Sequence, residues 1–195
     1  MTTAPIGRLA DMSPKTKARL AGGLFLLTMV LGGFAQGFVS ERLVVGGNAA
    51  ATAANIQAHA AVYRLGFAVY LVEMLCQITT IALFYDLLKP VSKSISRIAA
   101  IVGLVGCTVK TVARLFFISP VLVLGGADYL SVFSAEQLSA LALLFLRVNY
   151  MGETIAMVFF GFYALLMGYL IFRSGVLPRV LGVLSALGGV GWLSY

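Results

Sequence analysis

The chain is 195 residues long, 61% hydrophobic and only 11% charged, with a mean hydropathy of +1.00. Soluble domains average about 25% charged residues, so this composition excludes an ordinary soluble globule and points to lipid as the solvent. The formal charge of +7 does not indicate a nucleic-acid partner, because the basic residues sit in small groups between apolar runs and form no stripe with interleaved aromatics.

No linker, acidic tail or low-complexity tract divides the sequence, which reads as one membrane domain over residues 1–195. Cys76 and Cys107 both lie in apolar runs, where a thiol acts as a small hydrophobe, so no disulfide framework is expected.

Arg8, Lys15, Lys17 and Arg19 precede Leu20 to Ser40, an uncharged run long enough to span a bilayer. A secretory signal peptide is the competing reading, since Phe34-Ala35-Gln36-Gly37 loosely resembles a cleavage site; the length of the run favours a retained first span. Gly33 and Gly37, with Gly22 and Gly23 before them, form a small-residue row suited to close helix packing. From Glu41 to Ala61 the chain reads as an external connection in which Asn48 caps a short Ala-rich helix from Ala49 to about Ala60. The lone His59 is expected to be a polar surface residue.

A second span lies between Arg64 and Asp86, with Tyr70, Glu73, Gln77 and Thr80 on one face of it. Lys89, Pro90, Lys93 and Arg97 follow in a cytoplasmic turn. The third span, Ile98 to about Ile118, carries Gly103, Cys107, Lys110 and Arg114 along one stripe and is expected to end at Ser119-Pro120. Ser134 and Gln137 form a capping-box pattern ahead of Leu138 to Leu146, which is too short to span and reads as an interfacial or re-entrant helix.

The fourth span, Val148 to Phe172, holds Asn149 and Glu153 near its outer end, and Arg173 and Arg179 bracket a turn with Gly175 and Pro178. The last apolar run, Val180 to Tyr195, reaches only about 24 Å against a hydrocarbon core of about 30 Å. The expected architecture is therefore all-α: a polytopic transmembrane bundle of about five spans plus short external helices. Arg8, Lys15, Lys17, Arg19, Lys89, Lys93, Arg97, Arg173 and Arg179 fall on one side, and only Arg42, Arg64 and Arg147 on the other. The positive-inside bias then places the N-terminus in the cytoplasm.

Late in the chain, Val158-Phe159-Phe160-Gly161-Phe162 and Gly168-Tyr169-Leu170-Ile171-Phe172-Arg173-Ser174-Gly175-Val176-Leu177-Pro178-Arg179-Val180-Leu181-Gly182 carry a resemblance. So do Ala50-Ala51-Thr52-Ala53-Ala54-Asn55-Ile56, Arg64-Leu65-Gly66 and Leu87-Leu88-Lys89-Pro90-Val91. Together they resemble the bacterial integral-membrane family of domain of unknown function four-three-eight-six. The resemblance implies a bacterial plasma membrane location and a further C-terminal span in longer relatives; it carries no activity and no catalytic residues.

Lys110 and Arg114 are the most informative residues, because a cation at the centre of a span opposes insertion by roughly 2.5–3.5 kcal/mol and needs a partner or a wet cavity. Counted along the helices, Glu73 and Lys110 lie at similar depth, and so do Arg114 and Glu153. The candidate ligand-binding set is Glu73, Lys110, Arg114 and Glu153, converging in an outward-facing polar pocket with Tyr70, Gln77 and Asn149 as neutral partners. The competing reading is plain charge compensation, with Arg114 snorkelling to the interface.

No catalytic residues, metal ligands or cofactor are expected. One histidine cannot build a multi-histidine metal site, Gly125-Gly126-Ala127-Asp128 only superficially resembles an intramembrane protease motif, and Gly188-Gly189-Val190-Gly191 follows no strand. The expected partners are the bilayer and a small molecule or lipid, bound or transported. The alternative is a non-catalytic accessory subunit whose glycine-lined faces pack against a membrane protein partner.

Overall fold

A computed structural model describes residues 12–194, whose regular elements are all helices, with no strand among the described residues. The elements are α1 (Pro14–Leu43), α2 (Ala49–Ala58), α3 (Ala60–Leu88), α4 (Lys93–Val123), α5 (Ala135–Ser174) and α6 (Arg179–Leu193). Four of them, α1, α3, α4 and α5, are long and apolar enough to cross a membrane. At 15 residues α6 falls short of that length, so the structure has four candidate spans where the sequence suggested about five. Leu26, Val30, Leu75, Leu115, Leu122 and Leu184 are all exposed, the surface of a protein solvated by lipid rather than water.

Two boundaries depart from expectation. Helix α4 does not stop at Ser119-Pro120 but runs through Pro120 to Val123. Proline withdraws one backbone donor, and the carbonyls beside the gap find other partners: Ser119 Oγ donates to the Leu115 oxygen at 2.6 Å, and the Tyr63 hydroxyl donates to the Phe117 oxygen. The segment Leu138 to Leu146 is no separate interfacial helix; it is the start of the 40-residue α5. Arg147 and Asn149 interrupt the apolar run without breaking the backbone ladder, because a charged side chain alters hydropathy far more than helix propensity.

The expected caps are in place. The Ser134 backbone N–H donates to Gln137 Oε1 at 2.8 Å and the Gln137 N–H to Ser134 Oγ at 3.2 Å, while Asn48 Oδ1 accepts from the Ala51 N–H at 2.9 Å. His59 ends α2, is exposed, and its ring nitrogen lies 3.1 Å from the Asn55 carbonyl oxygen. Within α1, Ala35–Ser40 winds as a π-helix, a feature no sequence signal announced.

The described residues group into two compact units. The first comprises Leu26 and the described residues before it, Cys76–Leu104, and the described residues from Val158 onward. Its core contains Leu87, Leu88, Ala99, Met167, Leu170 and Ile171. Here α5 and α6 pack at backbone contact: a Cβ added at Gly168 would lie 2.7 Å from the Gly182 carbonyl oxygen, and one at Gly182 would lie 2.7 Å from that of Gly168. Gly161 and Gly189 repeat the arrangement seven residues along each helix, and Ser185 Oγ donates to the Ala164 oxygen between them at 2.9 Å.

The second unit comprises Leu27–Leu75 and Val105–Met157. Its core is built on Val39, Ile56, Tyr63, Tyr70, Phe117 and Leu146, with the Tyr63 and Phe117 rings stacked at 4.5 Å between centroids. Gly66 lets α3 approach Val39 of α1, and Gly152 lets α5 approach Ala113 of α4; an added Cβ would come within 2.7 Å and 2.6 Å respectively. The row expected to pack closely, Gly22, Gly23, Gly33 and Gly37, has nothing within 4 Å of where a Cβ would stand. Close packing followed the neighbours that the fold supplied, not the spacing along α1.

Candidate functional site

Four charged residues of the second unit form two ion pairs, each with one buried and one partly buried partner. On α3, Glu73 is buried, and its Oε1 accepts from Lys110 Nζ of α4 at 2.6 Å. Gly32 of α1 makes room for this carboxylate, since a Cβ there would stand 3.3 Å from Glu73 Cδ. One turn along α4 from Lys110, Arg114 is 1% exposed and pairs through Nη1 with Glu153 of α5. Asn149, one turn before Glu153, accepts from Arg114 Nη1 at 3.4 Å and donates to Glu153 Oε1 at 2.6 Å. Carboxylate and guanidinium are thus both held by the same amide.

Tyr70 completes the cluster. The Arg114 guanidinium carbon lies 3.4 Å from the Tyr70 ring centroid, a cation–π contact. The Tyr70 hydroxyl donates to Gln36 Oε1 at 3.0 Å and lies 3.0 Å from Ser40 Oγ. Six of the seven expected residues thus fall into two contact sets, Glu73 with Lys110 and Tyr70, Arg114, Asn149 and Glu153 together, whose cations stand one helical turn apart on α4. Gln77, one helical turn beyond Glu73 on α3, belongs to the first unit and is half-buried.

Gln36 escapes a reading of the sequence because Phe34 to Gly37 resembles a cleavage site, and Ser40 because it ends the uncharged run. Their signal is two polar residues four apart in an apolar helix, the spacing of a shared face. Arg114 does not snorkel: at 1% exposure it is directed into protein. Two atoms of the charged set remain without a hydrogen-bond partner, Glu73 Oε2 and Arg114 Nε, both buried. The arrangement thus offers paired charges together with one open acceptor and one open donor.

A second polar locus lies in the first unit. Asp86, in the last turn of α3, is paired with both Lys17 of α1 and Lys89. Lys89, beyond the end of α3, is held above the usual lysine range by its hydrogen bond to Asp86 and by that carboxylate's charge. Beside these residues opens a cavity of about 450 Å³. None of the seven residues singled out from sequence lines it. Among the described residues no group of three or more His, Cys, Asp or Glu is placed to hold a metal ion.

A sequence model of one protein family, described as Domain of unknown function (DUF4386), matches residues 20–195. The chain belongs to that family. The matched stretch includes every residue of the Glu73–Lys110 and Arg114–Glu153 pairs, whereas Lys17 of the second locus precedes it. No curated protein and no solved structure matches the chain. The family description assigns no activity, and the membrane character rests on the four long apolar helices.

Proposed function

We propose that this DUF4386 protein binds a small polar molecule or a lipid, for carriage or sensing, at the cluster of Glu73, Lys110, Arg114 and Glu153. The observation that carries this reading is the pair of open atoms, Glu73 Oε2 and Arg114 Nε, on charged side chains buried in candidate membrane spans. Lipid tails cannot supply the missing hydrogen bonds, and an unsatisfied buried polar atom costs about 1–3 kcal/mol. A ligand with one donor and one acceptor would recover that cost. The reading places the protein in a bacterial plasma membrane with its N-terminus cytoplasmic, following the lysine and arginine bias.

The test is the charge-neutral double variant Glu73→Gln with Lys110→Gln, which removes the pair without leaving a lone charge. Native mass spectrometry of gently extracted protein should show a small-molecule or lipid adduct on the wild type that is absent from the folded double variant. Equal adducts on both proteins, or none on the wild type, would reduce the cluster to charge compensation.

One observation favours an accessory role instead. The α1 row of Gly22, Gly23, Gly33 and Gly37 has no neighbour within 4 Å, a surface open to another helix. Mass measurement of the extracted protein decides it: a defined larger assembly is the accessory result, a monomer with a co-purified ligand the ligand-binding one.

A further inference from the structure

The ion-paired cavity of the first unit has a chemistry of its own. It lies where three candidate spans end: Lys17 is in the first turn of α1, Asp86 in the last turn of α3, and Arg173 and Ser174 close α5. The ends of spans meet the headgroup region of a bilayer. Asp86 is already shared between Lys17 and Lys89, so its one negative charge serves two cations. Arg173 also lines the cavity, is exposed, and has no ion-pair partner among the described residues; its guanidinium carbon lies 5.9 Å from the Tyr169 ring centroid.

Among the described residues, Lys17, Lys89 and Arg173 against Asp86 leave the locus with two positive charges in excess. The C-terminal ends of α3 and α5 are themselves partly negative and favour nearby cations, but a dipole end of about half a charge falls short of this surplus. A volume of about 450 Å³ is within the range of small-ligand sites, and the lining combines these charges with apolar Leu87, Val91 and Val176.

We propose that this cavity binds a phosphate-bearing anion, supplied either by an anionic phospholipid headgroup or by a soluble phosphate ester. Arg173, without an ion-pair partner among the described residues, provides the fork that matches phosphate oxygens, and Lys17, fixed by Asp86, adds a positioned charge. The apolar wall accepts the glycerol and the first carbons of a chain.

Thermal unfolding of the detergent-solubilised full chain is followed against short-chain phosphatidylglycerol, phosphatidylcholine of equal chain length, and glycerol 3-phosphate. Phosphatidylglycerol should raise the midpoint where phosphatidylcholine does not, and Arg173→Gln should weaken that effect about tenfold. Stabilisation by phosphatidylglycerol alone assigns the site to a lipid headgroup; stabilisation by glycerol 3-phosphate as well assigns it to the phosphate ester itself. If Arg173→Gln fails to fold, Ser92→Asp takes its place: it adds a negative charge to the lining while preserving an oxygen for the Ile95 N–H that Ser92 Oγ now accepts at 3.4 Å, and it should weaken binding similarly. Equal response to the two lipids, no response to either anion, or unchanged binding in the folded variant overturns the proposal.

Discussion

Replacing Arg114 with methionine should destabilise the protein by about 3–5 kcal/mol, the usual cost of removing one partner from a buried ion pair. Arg114 is 1% exposed, so its loss leaves the Glu153 carboxylate facing a partly buried site with only the Asn149 amide to hold it. The Tyr70 ring also loses its stacked cation, a contact worth roughly 0.5–2 kcal/mol within that total. Arg114→Met combined with Glu153→Met should recover most of the loss, since an apolar pair of similar volume replaces a buried ion pair at little cost. The check is a double-mutant cycle read by unfolding in mild detergent. If the double variant is no more stable than Arg114→Met, the two side chains are not energetically paired.

The second large effect concerns the contact of α5 with α6. Gly182→Leu should detach α6, because even its Cβ would stand 2.7 Å from the Gly168 oxygen and 2.8 Å from the Phe172 nitrogen, both backbone atoms that cannot rotate away. Gly182→Ala sets two effects against each other: overpacking costs about 1–3 kcal/mol, while the gain in helix propensity is about 1 kcal/mol. With backbone atoms on both sides the clash outweighs the propensity gain, so alanine should also destabilise. Gly188 is the control, as nothing lies within 4 Å of its Cβ position, and Gly188→Ala should be neutral or slightly stabilising. Melting midpoints together with proteolysis of the turn between Ser174 and Arg179 distinguish the three variants. A Gly182→Leu protein that melts and resists cleavage like the wild type would contradict the packing described.

The candidate site was legible to the extent that its members are costly to place in lipid. Lys110 and Arg114 stand out in an apolar helix, and counting residues at a fixed rise per residue was enough to match Glu73 with Lys110 and Arg114 with Glu153. Gln77 shares the stripe of Glu73 on α3 but belongs to the other compact unit, a division that spacing along one helix does not encode. Gln36 was hidden by the cleavage-site resemblance of Phe34 to Gly37, and Ser40 by its place at the end of the uncharged run. The pairing of Lys17 with Asp86, 69 residues apart, had no signal at all, since charges at the ends of spans are expected to be solvated and require no partner.

The sequence by itself determined that the chain is helical, that it is made for lipid, where its helices are capped, and which cations need acids. Those properties follow from local quantities: run length, hydropathy, spacing along one helix and the capping chemistry of Asn48, Ser134 and Gln137. Tertiary structure alone decided that α4 passes through Pro120, that α5 is continuous past Arg147, and that Gly168 and Gly182, not Gly33 and Gly37, lie at backbone contact. A proline inside a span is tolerated when other groups serve the carbonyls around the break, as Ser119 does for Leu115 and Tyr63, from another helix, for Phe117. A glycine matters only where a second backbone comes near. Both conditions depend on which helices become neighbours, and a one-dimensional pattern does not contain that information.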